Sequence, residues 1–505
     1  MHHPDVHTAL NSGHDGSYPL LPGEKILSIT PHPPRYFPPN PSSNEQLLRL
    51  TRSDTIDEIG HAGPALASLA MASQRIEEPL THAEYLHLYE AIFGRDSLQV
   101  GRVLVDIFPK LTRSTILALA ELQGTTYNIE REEEPGRIVH EFRTEDDPMA
   151  KKLTENRGWH WPYYGSVDAT PEFVKTLAAY VQAHRANHIF LNEKYTDRDG
   201  QERTILYAME QALNWIDHRR AQNPEGLVEF KSQIPMGIEN QVWKDSWDAY
   251  HHADGTIANH KKGIASLDVQ VSTYDALLEA ARIYEDTLED PVKAKELRHK
   301  ADTMRSAIFN YFWTEDKGGY FVIGTDRDDE GTLRQMKIRT STMGHTLNSH
   351  LLEGDDPEIV RMRDGVIRNI LSPELWCKAG IRTLASDEVR FRPGAYHNGS
   401  VWLWESHYIA DGLRRHGLDE AANAIDMRLI KIANETGIFP EYVRGEQNEI
   451  KLNHQTVILW DEKAQRENVV EQPPQEVQAW TVAAVRASKH WVAKRELLKA
   501  QNSFD

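Results

Sequence analysis

A single cysteine, Cys377, in 505 residues excludes intramolecular disulfides and thiolate metal clusters. No stretch approaches the ~20 consecutive apolar residues that a bilayer-spanning helix needs, so no membrane partner is expected. The opening MHHPDVHTALNSGHDGSYPLLPG has no basic segment followed by an apolar core; it does not read as a secretory signal, and a cytoplasmic location is expected. Positive charge is also short: 57 basic against 76 acidic residues leave a net charge of −19, which repels a phosphate backbone. The basic pairs Arg219–Arg220, Lys261–Lys262 and Arg414–Arg415 are too brief to form a binding stripe, so no nucleic acid partner is expected. Glycine-rich phosphate loops and dinucleotide fingerprints are missing, so no cofactor is expected. The histidines of HHADG, His251 and His252, are adjacent and point different ways, which argues against a metal site.

What is abundant is tryptophan, 12 residues, together with 18 tyrosines. Flat rings with one polar edge suit sugar faces as well as protein cores. Prolines crowd residues 18–45, where they remove backbone donors and fix φ, so residues 1–60 read as an extended arm. Beyond it the 3.6-residue period dominates, as in Val174, Leu177, Ala178 and Val181. Helices are expected near 64–77, 96–108, 111–123, 172–187, 203–220, 266–286, 291–312, 341–352, 356–371, 399–416, 418–435 and 475–491. Pro109 and Gly417 make short joints between neighbours, so the helices pair as antiparallel hairpins. Six such pairs make an all-α (α/α)6 toroid over residues 61–495, followed by a tail, 496–505. The connections 124–170, 221–263, 313–340, 372–398 and 436–474 are long, as functional loops are, with short strands expected in stretches such as KGGYFVIG.

Trp159 and Trp161, Trp243 and Trp247, and Trp402 and Trp404 lie in or beside these connections with carboxylates close by. Ring faces stack on sugar C–H surfaces while acids bind hydroxyls or move protons, so a carbohydrate substrate is expected. Glycosidic cleavage needs a carboxylic acid to protonate the leaving oxygen and a carboxylate opposite to activate water or attack. Asp245 and Asp248 in WKDSWDA and Glu441 in GIFPEYVRGE are the candidates; a helix cap, a surface pair and a solvated turn are their structural alternatives.

FGRDSL (93–98), WPYYGSVDATPEF (161–173), NQVWKDSWDAYHHADG (240–255), SLDVQ (266–270), RTSTMGH (339–345), GIRTLAS (380–386), YHNGSVWLWESHYIADGLRRHG (396–417), FPEYVRG (439–445) and VQAWTVAAV (477–485) follow one another in order. This collinear series resembles that of bacterial amylo-α-1,6-glucosidase or glycogen-debranching-like glycoside hydrolases and covers about residues 90–490. The resemblance implies a glucoamylase-like barrel and an inverting, exo-acting hydrolase that releases a terminal sugar, α-glucose above all. It implies that Arg95 and Asp96 hold sugar hydroxyls, that Glu441 is the general base, and that Tyr164, Asp168, His397, Trp402 and Trp404 line the pocket. Trp161, Trp243 and Trp247 join them as stacking candidates.

The general acid divides the comparison. Eukaryotic debranching enzymes place it two residues after a Trp, which gives Asp245; trehalase-like barrels place it after a Glu-Ser-Gly-aromatic run, which gives Asp248 and is slightly preferred here, although Lys244 replaces that Glu. Glu405 stands where relatives often have Asp, and Leu403 where they often have Pro, so one subsite contact is expected to differ. Only 92 residues precede Phe93, too few for the extra portions of full debranching enzymes beside the arm, so a smaller glycoside is expected at least as much as glycogen. A sugar isomerase or epimerase on the same barrel is the alternative, with His251, His252, His345 and His397 as proton shuttles.

Overall fold

Helix starts are written plainly into the chain, and the computed structural model obeys them. It describes residues 25–26, 91–144, 147–183, 185–452, 455–461, 466–472 and 478–502. The proline-rich arm, apart from Lys25–Ile26, and the helix expected near 64–77 therefore lie outside the described residues. Eleven α-helices are found among the described ones: α1 Gly94–Val103, α2 Pro109–Glu121, α3 Pro148–Arg157, α4 Ala169–Ala183, α5 Ile205–Arg220, α6 Leu267–Arg282, α7 Pro291–Phe312, α8 Pro357–Ile370, α9 Leu403–Arg415, α10 Asp419–Thr436 and α11 Ala479–Asn502. Asp290 and Asp356 cap α7 and α8 by accepting from the Lys293 and Glu358 amides, with Pro291 and Pro357 in the first turns. Gly437, at φ 67°, closes α10 in the left-handed region that only glycine enters freely.

Six elements pack in a closed ring: α1 on α4, α4 on α6, α6 on the 3₁₀ segment Ser341–Asn348, that segment on α9, α9 on α11, and α11 back on α1. Helices α2, α5, α7, α8 and α10 back this ring from outside. The architecture is the (α/α)6 barrel. Inner members are buried nearly all round, as α6 is from Leu267 through Leu277. Outer members show one apolar face, as in Ala294, Leu297, Ala301, Met304 and Ile308 of α7.

Three expectations need correction. The fourth inner member is not an α-helix over 341–352 but two 3₁₀ stretches, Ser341–Asn348 and His350–Leu352. Ser349 lies between them at extended dihedrals and turns its hydroxyl to Asp275, which ends the first stretch. Helix α11 runs to Asn502, past the tail boundary drawn at 495. A helix, α3, stands inside the connection expected to be loop, where Pro148 opens it.

An outer helix returns the chain between each inner element and the next, so the inner elements point the same way and their N-termini share one end. Two-residue ladders stitch the loops there. Ile92–Phe93 pairs antiparallel with Glu141–Phe142, Phe93 opposite Glu141. Val401–Trp402 pairs antiparallel with Tyr442–Val443, Trp402 opposite Tyr442.

Candidate active site

At that end lies a cavity of about 480 Å³. Its floor comes from helix starts: Arg95 and Asp96 of α1, Trp402 just before α9, and Trp480 in the first turn of α11. Its walls come from loops that supply His140, Glu141, Trp159, Trp243, Asp245, Trp247, Tyr396 and Glu441.

In the 243–248 segment the cavity takes every second residue, Trp243, Asp245 and Trp247. The residues between them are pinned behind the wall. Lys244 Nζ donates to Ser341 Oγ at 3.1 Å and to the Thr383 carbonyl at 2.9 Å. The Ser246 hydroxyl meets His397 Nδ1 at 2.9 Å, and Asn240 donates to the Ser246 carbonyl at 2.6 Å. Anchors on both sides leave Asp245 facing inward. Asp248 continues the buried parity: its carboxyl is held by Asn398 and Ser246 near Arg390, and it is not among the cavity residues. Of the two candidate acids, Asp245 therefore lines the cavity and Asp248 stands behind its wall, as neighbours on alternate sides of the segment do.

The ladder between Val401–Trp402 and Tyr442–Val443 places Glu441 beside the indole floor, where it is 3 % exposed. The Tyr396 hydroxyl donates to Glu441 Oε1 at 2.7 Å. Burial, with the Glu441 and Asp245 charges behind it, pushes the Tyr396 hydroxyl well above its ordinary range, so it keeps its proton and remains a donor.

Arg95 Nε donates to Asp168 Oδ2 at 2.6 Å. Burial opposes the Arg95 charge, but Asp168, Asp245 and Asp96 together raise its pKa. The same guanidinium does not suffice for every carboxyl around it. Desolvation pushes Asp245 up to about 6, against Arg95 and with help from Asp168. Desolvation likewise pushes Asp96 up to about 7, opposed by Arg95 and reinforced by Asp245. Burial, then the Arg95 and Arg137 charges, keeps His140 neutral.

Five cavity residues carry a buried polar side-chain atom with no protein partner: Arg95 Nη2, Asp96 Oδ1, His140 Nδ1, Trp243 Nε1 and Trp480 Nε1. An orphaned buried donor or acceptor is costly, so such a set is the signature of a polar ligand's place. Donors and acceptors are mixed, as hydroxyls require. The indoles pack tightly: Trp243 meets Trp402 and Trp404 edge-on at 5.7 and 5.0 Å, and Trp404 stacks on Trp480 at 5.2 Å.

Of the expected site residues, Arg95, Asp96, Trp243, Asp245, Trp247, Trp402 and Glu441 meet at this cavity. The others do not line it. Asp168 stands behind Arg95. Tyr164 donates to the Leu122 carbonyl at 2.6 Å and accepts from Arg198, a packing role. Trp161 bonds the Ala150 carbonyl and packs edge-on against Trp159, the loop's tryptophan that does line the cavity. His397 stacks on Trp402 from behind, and Trp404 supports Trp243. Glu405 Oε1 lies 3.1 Å from His345 Nε2, outside the cavity. The four histidines of the isomerase reading are likewise outside: His251 on the Asp248 carbonyl, His252 on Asp326, His345 on Glu405 and His397 on Ser246. Tyr396 and Trp480 were missed although both sit in quoted motifs, one position from His397 and within VQAWT. Groups of histidine, cysteine and carboxylate able to hold a metal are absent among the described residues. None of the described helices is long and apolar enough to cross a membrane.

No curated protein matches the chain significantly. Among solved structures, the GH63 mannosylglycerate hydrolase from Thermus thermophilus in complex with Tris and D-glycerate is 13% identical, with a TM-score of 0.53 over 84% of this chain and 99% of that one. The same enzyme in complex with glucose is 12% identical, with a TM-score of 0.53 over 86% and 99%. A bacterial glucoamylase complexed with acarbose is 14% identical, with a TM-score of 0.47 over 79% of this chain and 48% of that one; the chain thus spans about half of it. At these identities the likeness is one of fold. The family model for the mannosylglycerate hydrolase MGH1-like glycoside hydrolase domain matches residues 136–465, more than half of the sequence and most of the cavity wall, and the chain belongs to that glycoside hydrolase family.

Proposed function

We propose that the protein is an inverting, exo-acting glycosidase that removes one terminal hexose, α-glucose as the motif series implies, from a small glycoside. Asp245 is its general acid and Glu441 its general base. The observation that carries this reading is the presence of both carboxyls on the wall of one cavity in unlike surroundings. Asp245 is desolvated and pushed up to about 6, so it holds a proton to give to the leaving oxygen. Glu441 accepts from Tyr396 at one carboxylate oxygen, which orients the carboxylate that draws a proton from water. Arg95, Asp96, Trp243 and Trp480 present donors and acceptors to the sugar hydroxyls. Asp168 serves as a positioning residue through Arg95. The catalytic unit is assigned to the chain from residue 61 to the end of α11, with the arm before it.

The test is a panel of α-1,2-, α-1,4- and α-1,6-linked glucosides, maltosaccharides, glucosylglycerate and mannosylglycerate, with the first-formed anomer followed by proton NMR. Release of one hexose with inverted configuration is expected, β-glucose from an α-glucoside. A retained anomer would put Glu441 in the role of nucleophile. No sugar from any member would sink the hydrolase reading.

A further inference from the structure

His140, in GRIVHEFR, is the only histidine on the cavity wall among the described residues, and neither proton step of the hydrolysis needs it. Its backbone is fixed on both sides. The amide donates to the Tyr163 carbonyl at 2.9 Å, and the carbonyl accepts from the Gly94 amide at 2.9 Å. Gly94 allows this approach, since a Cβ there would stand 2.0 Å from the Val139 carbonyl oxygen. The contact brings His140 to the start of α1, where Arg95 and Asp96 follow Gly94. The imidazole is clamped edge-on between Phe93 and Tyr163, with centroids 6.2 and 5.9 Å away. Only its chemistry is unanswered: Nδ1 is buried without a partner. A phenyl ring would fill the same gap without that cost, so packing does not explain the nitrogen and a polar group entering the cavity does.

We propose that His140 is a further residue of the terminal-sugar subsite: its Nδ1 hydrogen-bonds one hydroxyl of the hexose, beside those met by Arg95 and Asp96, and makes the cavity select a sugar that carries it. The proposal rests on the hydrolase reading. Nδ1 donates in one neutral tautomer and accepts in the other, so it answers a hydroxyl in either sense. Burial, then the Arg95 and Arg137 charges, disfavour the imidazolium, so the ring acts as a fixed neutral partner and carries no proton between groups. A site built to hydrogen-bond a hydroxyl rejects the analogue lacking it, because the buried atom is then left unpaired.

The experiment follows binding of glucose and its 2-, 3-, 4- and 6-deoxy forms to the full-length protein by tryptophan fluorescence. Wild type is compared with His140→Phe, which keeps a ring between Phe93 and Tyr163, and with His140→Asn, which keeps a polar atom near the place of Nδ1. His140→Ala gives the same comparison if the phenyl ring is not accommodated. His140→Phe should weaken glucose by roughly three- to tenfold. It should leave one deoxyglucose bound as in wild type, the one without the hydroxyl that Nδ1 reads, and weaken the rest as much as glucose. His140→Asn should recover part of the glucose affinity and of the discrimination. An equal loss on every sugar makes His140 structural and overturns the proposal; so does no loss on any, or failure of wild type to bind glucose. Release of sugar from glycosides is measured in parallel. The expected binding pattern without release would remove the hydrolase reading and leave His140 as a sugar contact, whereas release with an equal loss on every sugar would keep the hydrolase and remove the assignment.

Discussion

Two cavities of nearly equal size open on the inner ring, and they differ in how their charges are settled. The second, about 500 Å³, is lined by Arg102, Lys175, Asp275, Glu279, His350 and Arg415 among others. Its charges are matched: Glu172 binds Arg102 and Lys175, Glu279 meets His350 at 3.0 Å, and Arg415 meets Glu353 at 2.9 Å. No residue on its wall leaves a buried side-chain atom without a partner among the described residues. The catalytic cavity leaves five. Arg95 and Arg102 belong to the same helix, about 10 Å apart along it, yet they face opposite situations. Volume does not separate the two cavities; unanswered polarity does. The carboxyls carry the same lesson. Burial disfavours the charge on Glu172, but Arg102 and Lys175, with Ser272, hold it at about 2. Asp245 and Asp96, lacking enough cations, sit at about 6 and about 7.

The widest separation between the two regions is expected from Asp245→Asn and Glu441→Gln. Each should lower kcat on natural glycosides by roughly 10²–10⁴-fold, and Asp245→Asn should do so without loss of stability, because it removes a desolvated carboxyl. Asp245→Asn should still turn over a glycosyl fluoride, whose leaving group needs no proton, and Glu441→Gln should not. If Asp248→Asn behaves this way instead, the alternation argument fails.

Glu172→Gln should do the reverse. Breaking a buried, hydrogen-bonded ion pair leaves Arg102 and Lys175 unmatched and should cost about 3–5 kcal/mol in denaturant unfolding, with kcat of the folded fraction unchanged. A loss of activity exceeding the loss of folded protein would mean that the two regions are coupled.

Asp96→Asn should lower kcat/KM by about 1.5–3 kcal/mol, the worth of a charged hydrogen bond to a sugar hydroxyl, and leave the melting temperature level or higher. A marked fall in melting temperature with normal kinetics would make Asp96 structural.

The smallest effect is the pH profile. Asp245 and Asp96 have folded pKa values above the ordinary 3.8, so their stabilising share is complete below that value and is lost as pH rises through about 6 and about 7. Glu172 lies below its ordinary 4.5, so its share is present above that value and is lost as pH falls toward about 2. Stability should therefore decline on both sides, and Asp245→Asn should flatten only the alkaline decline. Turnover of natural glycosides should fall as pH rises through about 6, while glycosyl fluoride turnover should not follow that limb.

The barrel was legible because its signals are local. Pro291 and Pro357 open helices, Gly437 ends one, and the apolar positions of α7 recur at the helical period. The inner ring was harder to bound, since α6 is buried on every side and shows little amphipathic contrast. The 3₁₀ turn at Ser341–Asn348 left no local signature, because Ser349 is drawn out by Asp275 of another helix.

Sequence by itself determined the helical class, the long aromatic loops and the catalytic candidates, since period, composition and motif order are properties of neighbouring residues. Tertiary structure decided which of them meet. Asp245 rather than Asp248 enters the cavity because Lys244 and Ser246 are tied to Ser341, Thr383 and His397, partners 97 to 151 residues away. Tyr396 reaches Glu441 across 45 residues because the two-residue ladder at Trp402 and Tyr442 brings their loops together. A carboxyl's proton, in turn, depends on how many cations the fold places around it, and no stretch of chain carries that number.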